Sequence, residues 1–176
     1  MRTKTFAHLE WVNQFFRKQP MLVDQQSYSI VTVPVASVLP LRARILLDGD
    51  ENASRFPCDD HEATLHLAAR TPDGIVAVAT ICRQAFRDFP PDSAWRLRGV
   101  AVEPFMQGHG VGTRLMRACI EYAQRRDGKV VWCTARDSAR GFYESLGFVA
   151  SGVPLKIAAR PDMVFHEMHR LLPDGA

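Results

Sequence analysis

The chain has 176 residues, which suits one domain with a real hydrophobic core. Its 22 Lys and Arg against 19 Asp and Glu leave a formal charge of +3, and the basic residues are too few and too dispersed for a nucleic-acid surface. No apolar run approaches the roughly 18 residues that a membrane span needs, and residues 1–13 lack an apolar signal core, so the expected setting is the cytoplasm, away from membranes.

Phe6, Leu9, Val12, Phe15 and Phe16 recur at helical spacing and predict a helix over residues 4–19, ended by Pro20. The preferred reading packs this aromatic stripe on the domain surface, and the second makes it the contact of a homodimer. Residues 29–33 read as a strand. Ser37 opens a helix running to residue 47, with Pro40 in its first turn and Gly49 just past its end. Arg42 and Arg44 on it are read as a solvated face rather than the lining of a cleft. The acidic stretch over residues 48–62 is read as a solvated loop rather than a rim for a cationic amine. Asp48, Asp50 and Asn52 imitate a calcium loop, but Ala53 replaces its glycine and Asp59 its closing glutamate.

Residues 63–70 and 75–85 form a hairpin about the turn Thr71-Pro72-Asp73-Gly74. A loop over 86–93 leads to a strand over 94–103. Gly99 inside that strand signals a bulge or a close backbone approach. A helix follows over residues 110–126, stopped by Gly128. Val130-Val131-Trp132-Cys133 is a continuous apolar run, as in a strand buried among parallel neighbours. A helix over 138–146 ends at Gly147, and residues 148–157 and 163–170 close the sheet as an antiparallel pair. Cys58, Cys82, Cys119 and Cys133 make no Cys-x-x-Cys pair, and the last two read as buried reduced thiols. His166 and His169, three apart in a strand, face opposite sides and cannot share one ion. No metal is expected.

Between the 94–103 strand and the next helix lies Gln107-Gly108-His109-Gly110-Val111-Gly112-Thr113. The first N–H groups of a helix lack intrahelical partners and carry positive potential. Three glycines clear side chains from that end, so an anion such as a diphosphate can approach, although such glycines also serve plain turns. A Walker loop needs Lys-Ser or Lys-Thr after its last glycine, and a dinucleotide fingerprint needs a different glycine spacing. Neither fits, which argues against a nucleotide-binding regulator.

The Gln-x-x-Gly-x-Gly order of Gln107 to Gly112 resembles the acyl-CoA motif of the GCN5-related N-acetyltransferase (GNAT) superfamily. Ser138-Ala139-Arg140-Gly141-Phe142-Tyr143-Glu144-Ser145-Leu146-Gly147-Phe148 resembles that family's second motif. Arg136 departs from it, standing where the family commonly has Asn. The resemblance implies an α/β (α+β) fold: a single GNAT-like domain, residues 28–172, behind an N-terminal helical extension, residues 1–27. It implies a mixed central sheet of about six to seven strands with helices on both faces. It implies acetyl-CoA as cosubstrate and a primary amine as acceptor. Its cofactor contacts would come from Val100, Ala101 and Val102, from Gln107, Gly108, His109, Gly110, Val111, Gly112, Thr113 and Arg114, and from Ser138 and Arg140. A backbone N–H near Val100 and Ala101 would meet the acyl carbonyl, and Tyr143 would be the general acid. The base stays open between Glu103, His66 and a water chain. A non-catalytic acyl-CoA sensor or scaffold is the alternative.

Overall fold

The computed structural model describes residues 21–23, 26–158 and 160–173. The helix expected over residues 4–19, with its packing or dimer role, lies outside the described residues. The described chain forms two compact units. The first holds the residues up to Thr80 together with Gly99–Cys119, and the second holds Ile81–Arg98 and the residues from Ile120 onward.

In the first unit, β1 (Met21–Val23) pairs antiparallel with β2 (Gln26–Thr32). β2 pairs antiparallel with β3 (Leu65–Thr71) in the register Ile30↔Ala69 and Thr32↔Leu67. β4 (Gly74–Arg83) and β5 (Ala94–Val102) follow in the order of the sheet, and β4 up to Thr80 and β5 from Gly99 belong to this unit. β3 and β4 are buried at successive positions, so both their faces are covered and their sequences read as apolar runs rather than alternation. The turn between them takes Gly74 at φ 146°, with the Thr71 hydroxyl donating to the Gly74 carbonyl at 3.3 Å.

A 3-10 turn, Val35–Ser37, leads into α1 (Leu39–Leu46). Ser37 does not cap this helix: it lies inside the 3-10 turn, and the N-cap position belongs to Val38, which makes no side-chain bond. Pro40 sits in the first turn, where its missing N–H costs nothing. The end is as expected, with the Leu47 and Gly49 amides both donating to the Ala43 carbonyl and Gly49 at φ 89°. Val38 and Leu41 are buried against Ala68, Val78 and Ala101 as the core of this unit.

In the second unit, β6 (Val130–Arg136) runs parallel to β5 over Ala94↔Val130, Trp95↔Val131 and Arg96↔Trp132. Its other edge is antiparallel to β9 (Arg160–Leu171), from Val130↔Leu171 to Arg136↔Phe165. β6 thus has one parallel and one antiparallel neighbour, and its apolar run, Val130 to Cys133, is buried at successive positions, so both its faces are covered. Residues 148–157 make two short strands, β7 (Val149–Ala150) and β8 (Leu155–Ile157), each antiparallel to β9. That division, together with β1, raises the described strands to nine, above the six or seven expected.

α2 (Val111–Gln124) begins in the first unit and ends in the second. Asp127, at φ 57°, takes the left-handed position after it, and the Gly128 amide closes the end by donating to the Ala123 carbonyl at 3.0 Å. Gly128 is needed for space: a Cβ there would stand 2.7 Å from Trp95 Cδ1 and 2.8 Å from the Ala123 carbonyl. The Trp95 ring that fills this place meets Tyr122 edge-on at 5.3 Å. A 3-10 turn, Asp137–Ala139, precedes α3 (Arg140–Glu144), and Gly147 ends the segment at φ 80°. No helix among the described residues is long and apolar enough to cross a membrane.

Candidate active site

β5 ends at Val102, and a 3-10 turn, Pro104–Met106, redirects the chain into the glycine turn. The Glu103 amide donates to the Val76 carbonyl at 2.9 Å, and the Gln107 side-chain amide donates to the Val102 carbonyl at 3.1 Å. These two bonds fix the exit of the strand. Gly108 and Gly110 then take φ 77° and 76°, and a Cβ on either would meet no atom within 4 Å. The glycines are thus demanded by backbone conformation, and the space their side chains would fill is open. The first helical bond of α2 runs from the Arg114 amide to the Gly110 carbonyl at 3.0 Å. The amides of Val111, Gly112 and Thr113 precede it and have no intrahelical acceptor. Open space beside such amides is where a diphosphate can be held.

Val111 is buried and anchors the turn, with Gly112 and Thr113 half-buried beside it. The His109 ring folds back, its Nδ1–H donating to the Gln107 carbonyl at 2.8 Å. Arg114 lies half-buried with its guanidinium 5.0 Å from the Tyr28 ring centre, whereas Arg117 is exposed. Val100, Ala101 and Val102 lie between the bulge and the turn, Ala101 fully buried and its neighbours half-buried. These candidates all belong to the first unit.

Ser138, Arg140 and Tyr143 belong to the second unit. Ser138 and Arg140 are exposed, and Arg140 forms an ion pair with Glu144 one helical turn on, at 2.7 Å. Tyr143 is 7% exposed, its ring edge-on to Phe142 at 5.2 Å and to Phe148 at 5.6 Å. On the same unit, His166 and His169 pair with Ala135 and Trp132 respectively and so face opposite sides of β9, as their spacing requires. His166 holds Asp137 at 2.6 Å and His169 holds the Ser151 hydroxyl. Among the described residues, no three His, Cys, Asp or Glu side chains could together hold a metal ion. Cys119 and Cys133 are buried, and burial pushes the Cys133 thiol up to about 12, so it is protonated and inert at neutral pH.

The structure overturns the solvated reading of Arg42 and Asp59. Both side chains are wholly buried and form an ion pair at 2.7 Å. Arg42 also donates to the Ser54 carbonyl at 3.1 Å and to the Thr80 hydroxyl, and its guanidinium lies 4.6 Å from the Phe56 ring centre. The Asp59 carboxylate also accepts from the Phe56 amide at 2.9 Å. Because Thr80 accepts from Arg42, its own proton points to His66 Nδ1 at 2.7 Å. His66 Nε2–H then donates to the Asp59 carbonyl at 3.0 Å. Both ring nitrogens are thereby used in the neutral tautomer. Burial lowers the His66 pKa, and the Arg42 charge lowers it further. His66 is thus a neutral imidazole held through both ring nitrogens within this cluster. Glu103, the carboxylate candidate for the base, is paired with Arg44.

The cluster was missed because Arg and Asp are rarely buried. Its signal was there: Val38, Leu41, Arg42 and Ile45 share one helical stripe, so Arg42 faces inward with the apolar residues while Arg44 points away. Gly99 is the second signal. It stands at φ 58°, and a Cβ there would overlap Arg42 Nε, lie 2.9 Å from Arg42 Cδ and 3.1 Å from Phe56 Cε2. The expected bulge and close approach are therefore one feature. Gly99→Ala is expected to destabilise the fold by about 2–5 kcal/mol, left-handed strain adding to overpacking. A urea midpoint unchanged from the parent would refute that close approach.

The sequence model described as the acetyltransferase (GNAT) family matches residues 39–148, a span that includes the buried cluster, the glycine turn and Tyr143. Similar chains include the uncharacterized N-acetyltransferase YitI of Bacillus subtilis, 26% identical over 129 residues, which are 73% of this chain and 87% of that one. N-alpha-acetyltransferase RimI of Mycobacterium tuberculosis is 31% identical over 91 residues, 50% of this chain and 54% of its own. Among solved structures, aminoglycoside 6'-N-acetyltransferase complexed with coenzyme A matches with a TM-score of 0.66 at 15% identity, covering 84% of this chain and 99% of that one. Escherichia coli ElaA matches with a TM-score of 0.65 at 20% identity, covering 82% and 99%.

Proposed function

The chain belongs to the acetyltransferase (GNAT) family, and from that premise we propose that it moves an acetyl group from acetyl-CoA to a primary amine, with Tyr143 as the general acid. The observation that carries the reading is the open side of Gly108 and Gly110 at the start of α2, a cradle that any Cβ would fill. Val111, Gly112 and Thr113 amides would hold the diphosphate there, aided by the positive end of the helix. Gln107 and His109 fold back on the turn and keep its shape. Val100, Ala101 and Val102 would line the acyl arm, with a backbone N–H near Val100 set against the acyl carbonyl. Ser138 and Arg140 are held as further contacts to the cosubstrate.

Acetyl-CoA supplies an activated acyl group and a thiolate leaving group. The work left to this chain is orientation, carbonyl polarisation and proton transfer: the attacking amine gives its protons to water, and the departing thiolate takes one up. A phenol is protonated at neutral pH, so Tyr143 can donate as the thiolate departs. The acceptor reading draws on the relatives' names, N-alpha and aminoglycoside 6'-N, both of which specify a nitrogen.

Arg114 follows the cradle, and its half-buried position over Tyr28 favours it over Arg117 as the phosphate ligand. Arg114→Ala is expected to weaken CoA binding by about ten- to a hundredfold, as for a lost charge-assisted bond, and less at high salt. Equal calorimetric affinities for the parent and this variant at low and high salt would remove Arg114 from the site. The test of the function is a panel of primary amines with acetyl-CoA, followed by released thiol. Turnover of one class of amine is the expected result. CoA binding without thiol release on any amine would favour the sensor alternative.

A further inference from the structure

The cluster around Arg42 holds an ion pair with both side chains wholly buried. Burying an ion pair is often no better than burying apolar groups of the same size. Arg42 could be replaced on its stripe by a residue like Leu41 beside it. Instead its guanidinium collects Asp59, the Ser54 carbonyl, the Thr80 hydroxyl and, at 3.4 Å, His66 Nδ1. These partners come from the segment after α1, from β3 and from β4, so the guanidinium has one allowed position. That position is the place of the missing Gly99 side chain, with the Phe56 ring closing the other side.

We propose that Arg42 is a positioning residue: held by Asp59 and Thr80, it occupies the side-chain place of Gly99, and so sets the bulge from which Val100, Ala101 and Val102 meet the acyl arm. This rests on the acetyl-CoA reading of that strand. Gly99 adopts φ 58° with Arg42 against it, and the peptide that follows carries the Val100 amide. Tilting that peptide would turn its N–H away from the carbonyl without touching the diphosphate cradle. Arg42 therefore acts on acyl-group orientation and leaves cosubstrate affinity to the turn. A misplacement of about 1 Å at a reacting group can cost on the order of a hundredfold in rate, so a rigid cluster that leaves the substrate untouched has a chemical use.

The test is difference infrared spectroscopy of bound acetyl-CoA carrying 13C at the acetyl carbonyl, beside calorimetric titration. The parent is expected to bind acetyl-CoA and to lower the carbonyl stretching frequency relative to water. Arg42→Lys keeps a cation for Asp59 but cannot fill the place at Gly99 and reach Thr80 together. Thr80→Val keeps the shape of Thr80 and removes the hydroxyl that links Arg42 to His66. Both variants are expected to bind with affinity close to the parent and to lose most of the frequency shift. If Arg42→Lys does not fold, Thr80→Val decides. Parent-like frequency in a folded variant overturns the positioning role and leaves the acetyl-CoA reading intact. A parent that binds no acetyl-CoA overturns that reading, and the positioning role falls with it.

Discussion

Tyr143→Phe is expected to fold, to bind acetyl-CoA nearly as the parent does, and to lose about 10²- to 10⁴-fold in kcat, the usual cost of removing a positioned acid. The Tyr143 ring is buried and meets Phe142 and Phe148 edge-on, and phenylalanine keeps all of that area. Tyr143→Ala would instead open a cavity and cost about 3–5 kcal/mol, mixing a folding defect into the kinetics. The phenylalanine variant therefore separates the hydroxyl from the ring. The measurement is single-turnover transfer to whichever amine the panel identifies, because a slow product release could hide the loss in the steady state. If single-turnover rates equal those of the parent across neutral pH, Tyr143 is a packing residue and the proton comes from elsewhere.

Glycine made the turn and the bulge legible. Gly99 in a strand and three glycines at a strand-to-helix junction have local backbone causes, and the structure places Gly99, Gly108 and Gly110 at positive φ. The hairpin of β3 and β4 was equally local, because Pro72 and Gly74 mark its turn. What sequence hid was set by partners far along the chain. Asp59 is 17 residues from Arg42 and Thr80 is 38 residues away, so no window of sequence contains the charge pair that makes the burial affordable. Why position 128 must be glycine is hidden for the same reason. Its role depends on the Trp95 ring, which a helix-stop rule does not see. The 148–157 stretch looked like one strand because its residues suit strands throughout. It divides into β7 and β8, and Gly152 between them stands at φ 152°.

Gly110→Asp is expected to weaken acetyl-CoA binding by about a hundredfold or more in a folded protein. Gly110 is the residue whose carbonyl takes the first helical bond of α2, and it stands at φ 76° with open space where a Cβ would go. Asp and Asn tolerate the left-handed region better than other side chains, so the strain is about 1–2 kcal/mol and the fold survives. An aspartate there would bring its charge among the free amides of α2, answering them internally and repelling an incoming diphosphate. A unit charge pair at 4 Å is worth about 1 kcal/mol in bulk water and about 4 kcal/mol near a protein surface, and a diphosphate carries more than one charge. Gly110→Asn fills the same volume without the charge. Asparagine is therefore expected to bind clearly better than aspartate, and the gap between them should narrow as salt is raised. Calorimetric titration of both folded variants reads that gap directly. If the two bind acetyl-CoA alike, bulk and not charge governs the turn. If both also match the parent, the diphosphate is held elsewhere.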